Sequence, residues 1–202
     1  LLPDDGKEVV IDILKWIIKG CQIAAVTGAQ GSGKTTLLMG LIAYIHPSFT
    51  LRIQEMAFEL HLRDIYPDRN ILSFRETDTI SGQEGLDIQK KTDGTVNILG
   101  EVATIEVAAY LIQMSQVGSL FTLFTHHAKT TDSLVKYMRN SLLSSGIFRD
   151  EKIAREQVVE SIRFDIHMEK DINGHRYIER ISEIVPDDSE KGLSLIHISE
   201  PT

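Results

Sequence analysis

Gly28-Ala29-Gln30-Gly31-Ser32-Gly33-Lys34-Thr35-Thr36 fits G-x-x-x-x-G-K-[ST], the loop pattern that cradles phosphate groups. Its flanks fit as well. Gln22 to Thr27 reads as a short buried strand and Thr36 to Ile45 as a helix, so the loop joins a strand to a helix N-terminus. Three glycines permit a tight turn that aims successive backbone N–H groups at one point, where the helix end adds partial positive charge. Lys34 is placed to reach the β- and γ-phosphates, and the Thr35 hydroxyl to ligate Mg2+. The stretch is expected to bind a nucleoside triphosphate.

The 202 residues suffice for one domain with a full core. With 42% hydrophobic and 25% charged residues, the composition is that of an ordinary globular protein. A net charge of −8 argues against a broad nucleic-acid surface, which needs clustered Lys and Arg. The single cysteine, Cys21, has no internal disulfide partner and suits a reducing compartment. Lys15 and Lys19 interrupt the best apolar run, so no transmembrane segment is expected. Residues 1–19 read as a linker helix following a further domain, and residues 20–186 as the phosphate-loop domain. Residues 187–202 are set apart as a tail, because Leu193 to Thr202 follows no pattern and resembles translated sequencing-adapter read-through.

Around the loop, short apolar strands alternate with helices. Glu8, Asp12, Lys15 and Lys19 form the polar stripe of an amphipathic helix. Strands are expected at 50–54, 70–74, 95–99 and 119–125, and helices near 104–116, 131–144 and 151–160, with Asp132 placed to cap the second of these. Between Thr77 and Gly94 the periodicity is lost, which predicts a mobile or partner-ordered segment. Residues 162–168 alternate with period two, Asn173-Gly174 reads as a two-residue hairpin turn, and 175–185 returns. The pattern predicts an α/β fold: a mostly parallel sheet flanked by helices, closed by an antiparallel C-terminal hairpin.

A phosphate loop needs a carboxylate at a neighbouring strand tip to hold Mg2+ through water and to position an attacking water. Glu101 follows an apolar strand and one glycine, which places it at such a tip. Glu55 ends the strand after the phosphate-loop helix, and Glu59 lies one helical turn beyond. His126 and His127 end the strand 119–125, and only one of two adjacent side chains can face the cleft. There a histidine would sense a γ-phosphate. Spacing alone also accommodates an ordinary surface role for Glu55, Glu59 and either histidine.

Four boxes in this order resemble the ATPases of type II and type IV secretion and pilus assembly, in particular the CpaF-like branch, over roughly Gly20 to Pro186. They are the phosphate loop, Glu55-Met56-Ala57-Phe58-Glu59-Leu60, Ile98-Leu99-Gly100-Glu101-Val102 with Glu106 beyond it, and Thr125-His126-His127-Ala128. The resemblance implies a RecA-like domain of a homo-hexameric cytoplasmic ring at the inner membrane, docked on a platform protein. ATP hydrolysis with Mg2+ would drive protein export or pilus assembly. It also implies catalytic roles for Glu101 and Glu55, and the γ-phosphate contact for His127.

The sequence departs from the family pattern at Ala103, at Glu76-Thr77-Asp78, at Lys90-Lys91-Thr92-Asp93 and after Gly118. The arginines absent there reach phosphates in the family, so Lys90, Lys91, Arg52 and Arg75 are the candidates to replace them. Two alternatives stand beside the motor reading: a nucleotide-binding scaffold without hydrolysis, and a DNA-handling motor, although no basic aromatic loop supports the second.

Overall fold

In the computed structural model, which describes residues 7–55, 59–75, 82–117, 119–186 and 194–199, helix and strand alternate along the chain. The elements are α1 (Lys7–Lys19), β1 (Ala24–Gly28), α2 (Lys34–Ile42), β2 (Leu51–Glu55), α3 (Leu62–Ile65), β3 (Ile71–Arg75), α4 (Gly82–Lys90) and β4 (Val96–Leu99). There follow α5 (Ile105–Val117), β5 (Phe121–His126), α6 (Thr131–Ser144), α7 (Glu151–Ser161), β6 (Phe164–Lys170), β7 (Arg176–Val185) and β8 (Ser194–Ser199).

The strands form one sheet in the order β3-β2-β4-β5-β1-β6-β7-β8. Every pairing from β3 across to β6 is parallel, and β6-β7 and β7-β8 are antiparallel. This is the mostly parallel α/β sheet with an antiparallel flank expected from the alternation of elements, and it agrees with the RecA-like domain that the resemblance implies. Helices cover both faces because successive strand residues point to opposite sides. Ala24 and Val26 of β1 join a core with Leu14, Ile17 and Ile18 of α1 and Leu38 and Leu41 of α2. Ala25 between them joins the opposite core, built on α5, α6 and α7. Trp16 of α1 meets Phe164 edge-on, with ring centroids 5.9 Å apart. Among the described residues, no helix is long and apolar enough to cross a membrane.

Three local expectations are corrected, and a strand lies within the segment set apart as a tail. The polar stretch 77–94 contains α4, whose inward face is Leu86 and a buried Gln89. Gln89 donates to the Ile53 carbonyl (3.3 Å) and to Gln54 Oε1 (3.0 Å), and accepts from the Tyr110 hydroxyl (3.1 Å). Because half of that anchor is polar, no apolar period marks the helix. The cap of α6 is Thr130, not Asp132: its hydroxyl accepts from Ser133 N while Ser133 Oγ accepts from Thr130 N, a reciprocal capping box. The hairpin turn has three residues rather than two. Ile172, Asn173 and Gly174 (φ 88°) bridge Asp171 and His175, whose backbone bond of 2.9 Å closes the loop. Within the segment set apart as a tail, Ser194–Ser199 pairs with β7 from Val185↔Ser194 to Arg180↔Ser199. Residues 1–6, Met56-Ala57-Phe58, 76–81 (with Glu76-Thr77-Asp78), Gly118, 187–193 and 200–202 lie outside the described residues.

Candidate nucleotide-binding site

The phosphate loop leaves the C-terminal tip of β1, a central strand between β5 and β6. Gly28 takes φ 141° under the β6 backbone, where a Cβ would collide with the Met168 carbonyl oxygen. At the other end Gly33 (φ 98°) caps α2 in a left-handed conformation with no side-chain cap. The first-turn amides of α2 therefore have no intrahelical acceptor and stand at the positive end of the helix dipole.

Lys34 lies back along this loop. Its ammonium donates to the carbonyls of Gly28 (3.1 Å) and Ala29 (2.9 Å) and to His127 Nδ1 (3.3 Å). Burial lowers its pKa, and the negative charge of Glu101 opposes that shift. Because Lys34 can only donate, His127 Nδ1 accepts and the ring proton sits on Nε2. That nitrogen stands 3.1 Å from Glu101 Oε1. Lysine, imidazole and carboxylate thus form a continuous chain across the cleft.

Glu101 follows the tip of β4 in a connection pinned on both sides. Gly100 N donates to the Gln54 carbonyl (2.8 Å) and Val102 N to the Thr125 carbonyl (2.9 Å). The Thr125 hydroxyl donates to the Gly100 carbonyl (2.5 Å). A Cβ on Gly100 would stand 3.2 Å from Glu55 Cγ, so the glycine makes room for the Glu55 side chain. Glu55 is 4% exposed, and its Oε1 accepts from Glu59 N (3.1 Å) and Leu60 N (3.0 Å). Burial pushes its pKa above the usual carboxylate range, while those two amides pull it partly back. His126 and His127 separate as adjacent strand residues must. His126 turns inward, with Nδ1 donating to the Val102 carbonyl (2.7 Å) and its ring 4.3 Å from that of Tyr137. Burial lowers its pKa.

A cleft of about 280 Å³ opens along this edge, lined by Gln30, Lys34, Thr35, Glu55, Glu101 and His127 among others. Of the sequence-predicted residues, Gln30, Gly31, Lys34, Thr35, Glu55, Glu101 and His127 line it, with Glu59 also on the wall, whereas Gly28, Ala29, Ser32, Gly33 and Thr36 do not. Of the phosphate-loop residues, Ser32 faces inward with a buried hydroxyl that has no protein partner. The cleft thus sets donors, the Lys34 ammonium and the Thr35 hydroxyl, against the carboxylates of Glu55, Glu59 and Glu101.

The candidate replacement arginines and lysines do not line it. Arg52 is buried at the other end of β2, bonded to Thr92 Oγ1 (2.9 Å), the Leu51 carbonyl (3.1 Å), Asn70 Oδ1 (3.3 Å) and the Asp93 carbonyl. Lys90 pairs with Asp87 at 3.4 Å over the Tyr110 ring. Sequence reasoning missed Arg176 instead. It opens β7, and its Nε donates to the Gly31 carbonyl at 2.8 Å, bracing the phosphate loop from the hairpin. Only the third dimension brings it there.

Among solved structures, the chain is similar to the VirB11 ATPase of the Brucella suis type IV secretion system, solved in complex with sulphate. The TM-score is 0.74 at 22% identity over 91% of this chain and 56% of that one. It is also similar to the Legionella pneumophila ATPase DotB (TM-score 0.66, 17% identity, 93% and 52% covered). The pilus retraction motor PilT with bound ADP gives 0.57 and 18%, covering 100% of this chain and 52% of that one. The likeness is one of fold, and its bearers are the secretion and pilus ATPases that the sequence boxes resemble. The chain spans about half the length of these structures. No protein-family model and no curated protein matches the sequence.

Proposed function

We propose that this chain is the ATP-hydrolysing domain of a secretion or pilus-assembly motor. The observation that carries the reading is the single cleft in which Lys34, Thr35, Glu55, Glu101 and His127 converge at the C-terminal edge of a parallel sheet. Lys34 and the first amides of α2 would neutralise phosphate charge. The Thr35 hydroxyl, with Glu101 acting through water, would hold Mg2+, which supplies further charge neutralisation on the phosphates. Glu101 would orient the attacking water, and Glu55 would assist from its buried position. His127 would turn its Nε2–H from Glu101 to a γ-phosphate oxygen, so that the carboxylate loses this contact when the phosphate is present.

The fold neighbours include a PilT structure with bound ADP, which supports a nucleotide in the same role here. By the same analogy, six copies would form a ring at the cytoplasmic face of the inner membrane, docked on a platform protein. The positions where the family carries phosphate-reaching arginines hold Ala103 and Lys90-Lys91-Thr92 here, and this favours a second reading, a nucleotide-binding scaffold that does not turn over. Phosphate release from ATP and Mg2+, read by malachite green, separates the two. The motor reading expects release that falls by about 10²–10³-fold in Lys34→Ala and in Glu101→Gln. ATP binding with release no greater than that of Lys34→Ala assigns the scaffold instead.

A further inference from the structure

We infer that the C-terminal hairpin carries a divalent-metal site of its own, formed by His167, Glu169 and Glu179 beside the phosphate loop. His167 is buried on β6, directly opposite Thr27, the residue before Gly28. The Thr27 hydroxyl has one proton, and it is committed to Asp165 Oδ1 at 2.5 Å. His167 Nδ1, 2.9 Å from the same hydroxyl oxygen, must therefore be the donor. That leaves Nε2 as the outward ring nitrogen, facing the carboxylates. It stands 3.2 Å from Glu169 Oε1 and 3.8 Å from Glu179 Oε2. Ligands at about 2.0–2.1 Å from a tetrahedral Zn2+ stand about 3.3–3.4 Å apart. The His167–Glu169 edge is close to that, and all three atoms lie within 4.8 Å of one another, so a small side-chain adjustment would close them around an ion.

Two further features favour an ion over a simple imidazolium–carboxylate pair. The pairing of β6 with β7 shifts between His167↔Arg180 and Met168↔Ile178, leaving Glu179 as the extra residue of a β-bulge. A bulge re-aims a side chain that regular alternation would send elsewhere, and here it delivers a carboxylate to His167. The charge balance points the same way. Of Asp165, Glu169 and Glu179, Arg180 contacts Glu179 Oε2 (2.9 Å) and Asp165 Oδ2 (3.5 Å). Three carboxylates are matched here by one guanidinium, which leaves room for the charge of an added cation. The Thr27–Asp165 pair behind the ring is the outer shell that fixes a metal-binding tautomer, with Thr131 donating to Asp165 Oδ2 at 2.6 Å. Glu169 and Glu179 are half-exposed and give a hydrated ion its way in. One imidazole nitrogen and two carboxylates suit Zn2+ or a similar transition ion better than Mg2+.

Calorimetric titration of the full chain with Zn2+, without nucleotide, tests the assignment apart from any reading of the phosphate loop. One ion per chain is expected. Affinity should fall at least about tenfold in Glu169→Gln and in Glu179→Gln, and by about 10–100-fold in Thr27→Val, which removes only the outer shell. Both glutamates are surface positions, and circular dichroism of each variant verifies that it folds. His175→Ala, at the hairpin tip, should bind as the parent does. Absence of stoichiometric binding, or binding that survives both glutamate substitutions, overturns the proposal.

Discussion

His127 is the residue through which the two sides of the cleft communicate, since one ring nitrogen faces Lys34 and the other Glu101. Replacing it with alanine removes that link without removing a phosphate ligand of the loop. His127→Ala is therefore expected to lower kcat by about 10²-fold with KM little changed. Steady-state kinetics showing the loss in KM alone would assign the ring to binding instead. Glu55 makes a prediction in pH. Burial raises its folded pKa, so ionisation costs more in the folded than in the unfolded chain. The folded state then holds the proton longer, and stability declines as pH rises from the unfolded value, about 4.3, through the raised one. Glu55→Gln keeps an acceptor for the two amides and removes the charge. Its melting temperature relative to the parent should climb across that window and level off above it. A flat difference would show that the buried carboxyl ionises freely. At this scale the sequence was most legible where chemistry is contiguous. Lys34 and Thr35 stand beside the glycines that explain them. Arg176 reaches Gly31 from 145 residues away, and nothing in its own neighbourhood announces that.

Elements were legible where apolar side chains set the period and obscure where polar ones anchor the packing. Helix α6 shows its face through buried Leu134, Val135, Met138 and Leu142, and its bounds coincide with those read from the pattern. Helix α4 hides behind Gln89, whose amide does the work of a second leucine. Gln89→Leu should destabilise the domain by about 1–3 kcal/mol, because Tyr110 and Gln54 lose a buried partner. Urea unfolding measures it, and an unchanged midpoint would mean that the amide network adds nothing. Capping gives a sharper contrast. Thr130→Ala should cost about 1 kcal/mol, since the hydroxyl serves an otherwise orphaned amide. Asp132→Ala should stay within about 0.5 kcal/mol, as its 2.7 Å pair with Lys136 is exposed. Equal losses would return the capping role to Asp132.

Across the whole molecule, alternation of strands and helices was enough to predict a parallel sheet with a hairpin flank, because crossover connections leave few topologies open. The strand order itself depends on which faces meet, and the cores on the two sides become distinct only once β1 is seen between β5 and β6. Strand β2 crosses that architecture from one rim to the other. Its Arg52 knits together the turns before β3 and β4, while its Glu55 borders the nucleotide cleft. Arg52→Ala should therefore lower the unfolding free energy by about 1–3 kcal/mol yet leave nucleotide affinity within about twofold, as calorimetry would show. A parallel collapse of affinity would tie the far rim to the cleft.

Arg52 and Glu55 stand about 10 Å apart along the strand, far enough for their effects to add rather than interact. Stability and the proposed turnover can thus be tuned from opposite margins of one sheet. A library that varies the margin around Asn70, Thr92 and Asp93 for resilience would leave the chemistry of the other margin free to be sampled independently.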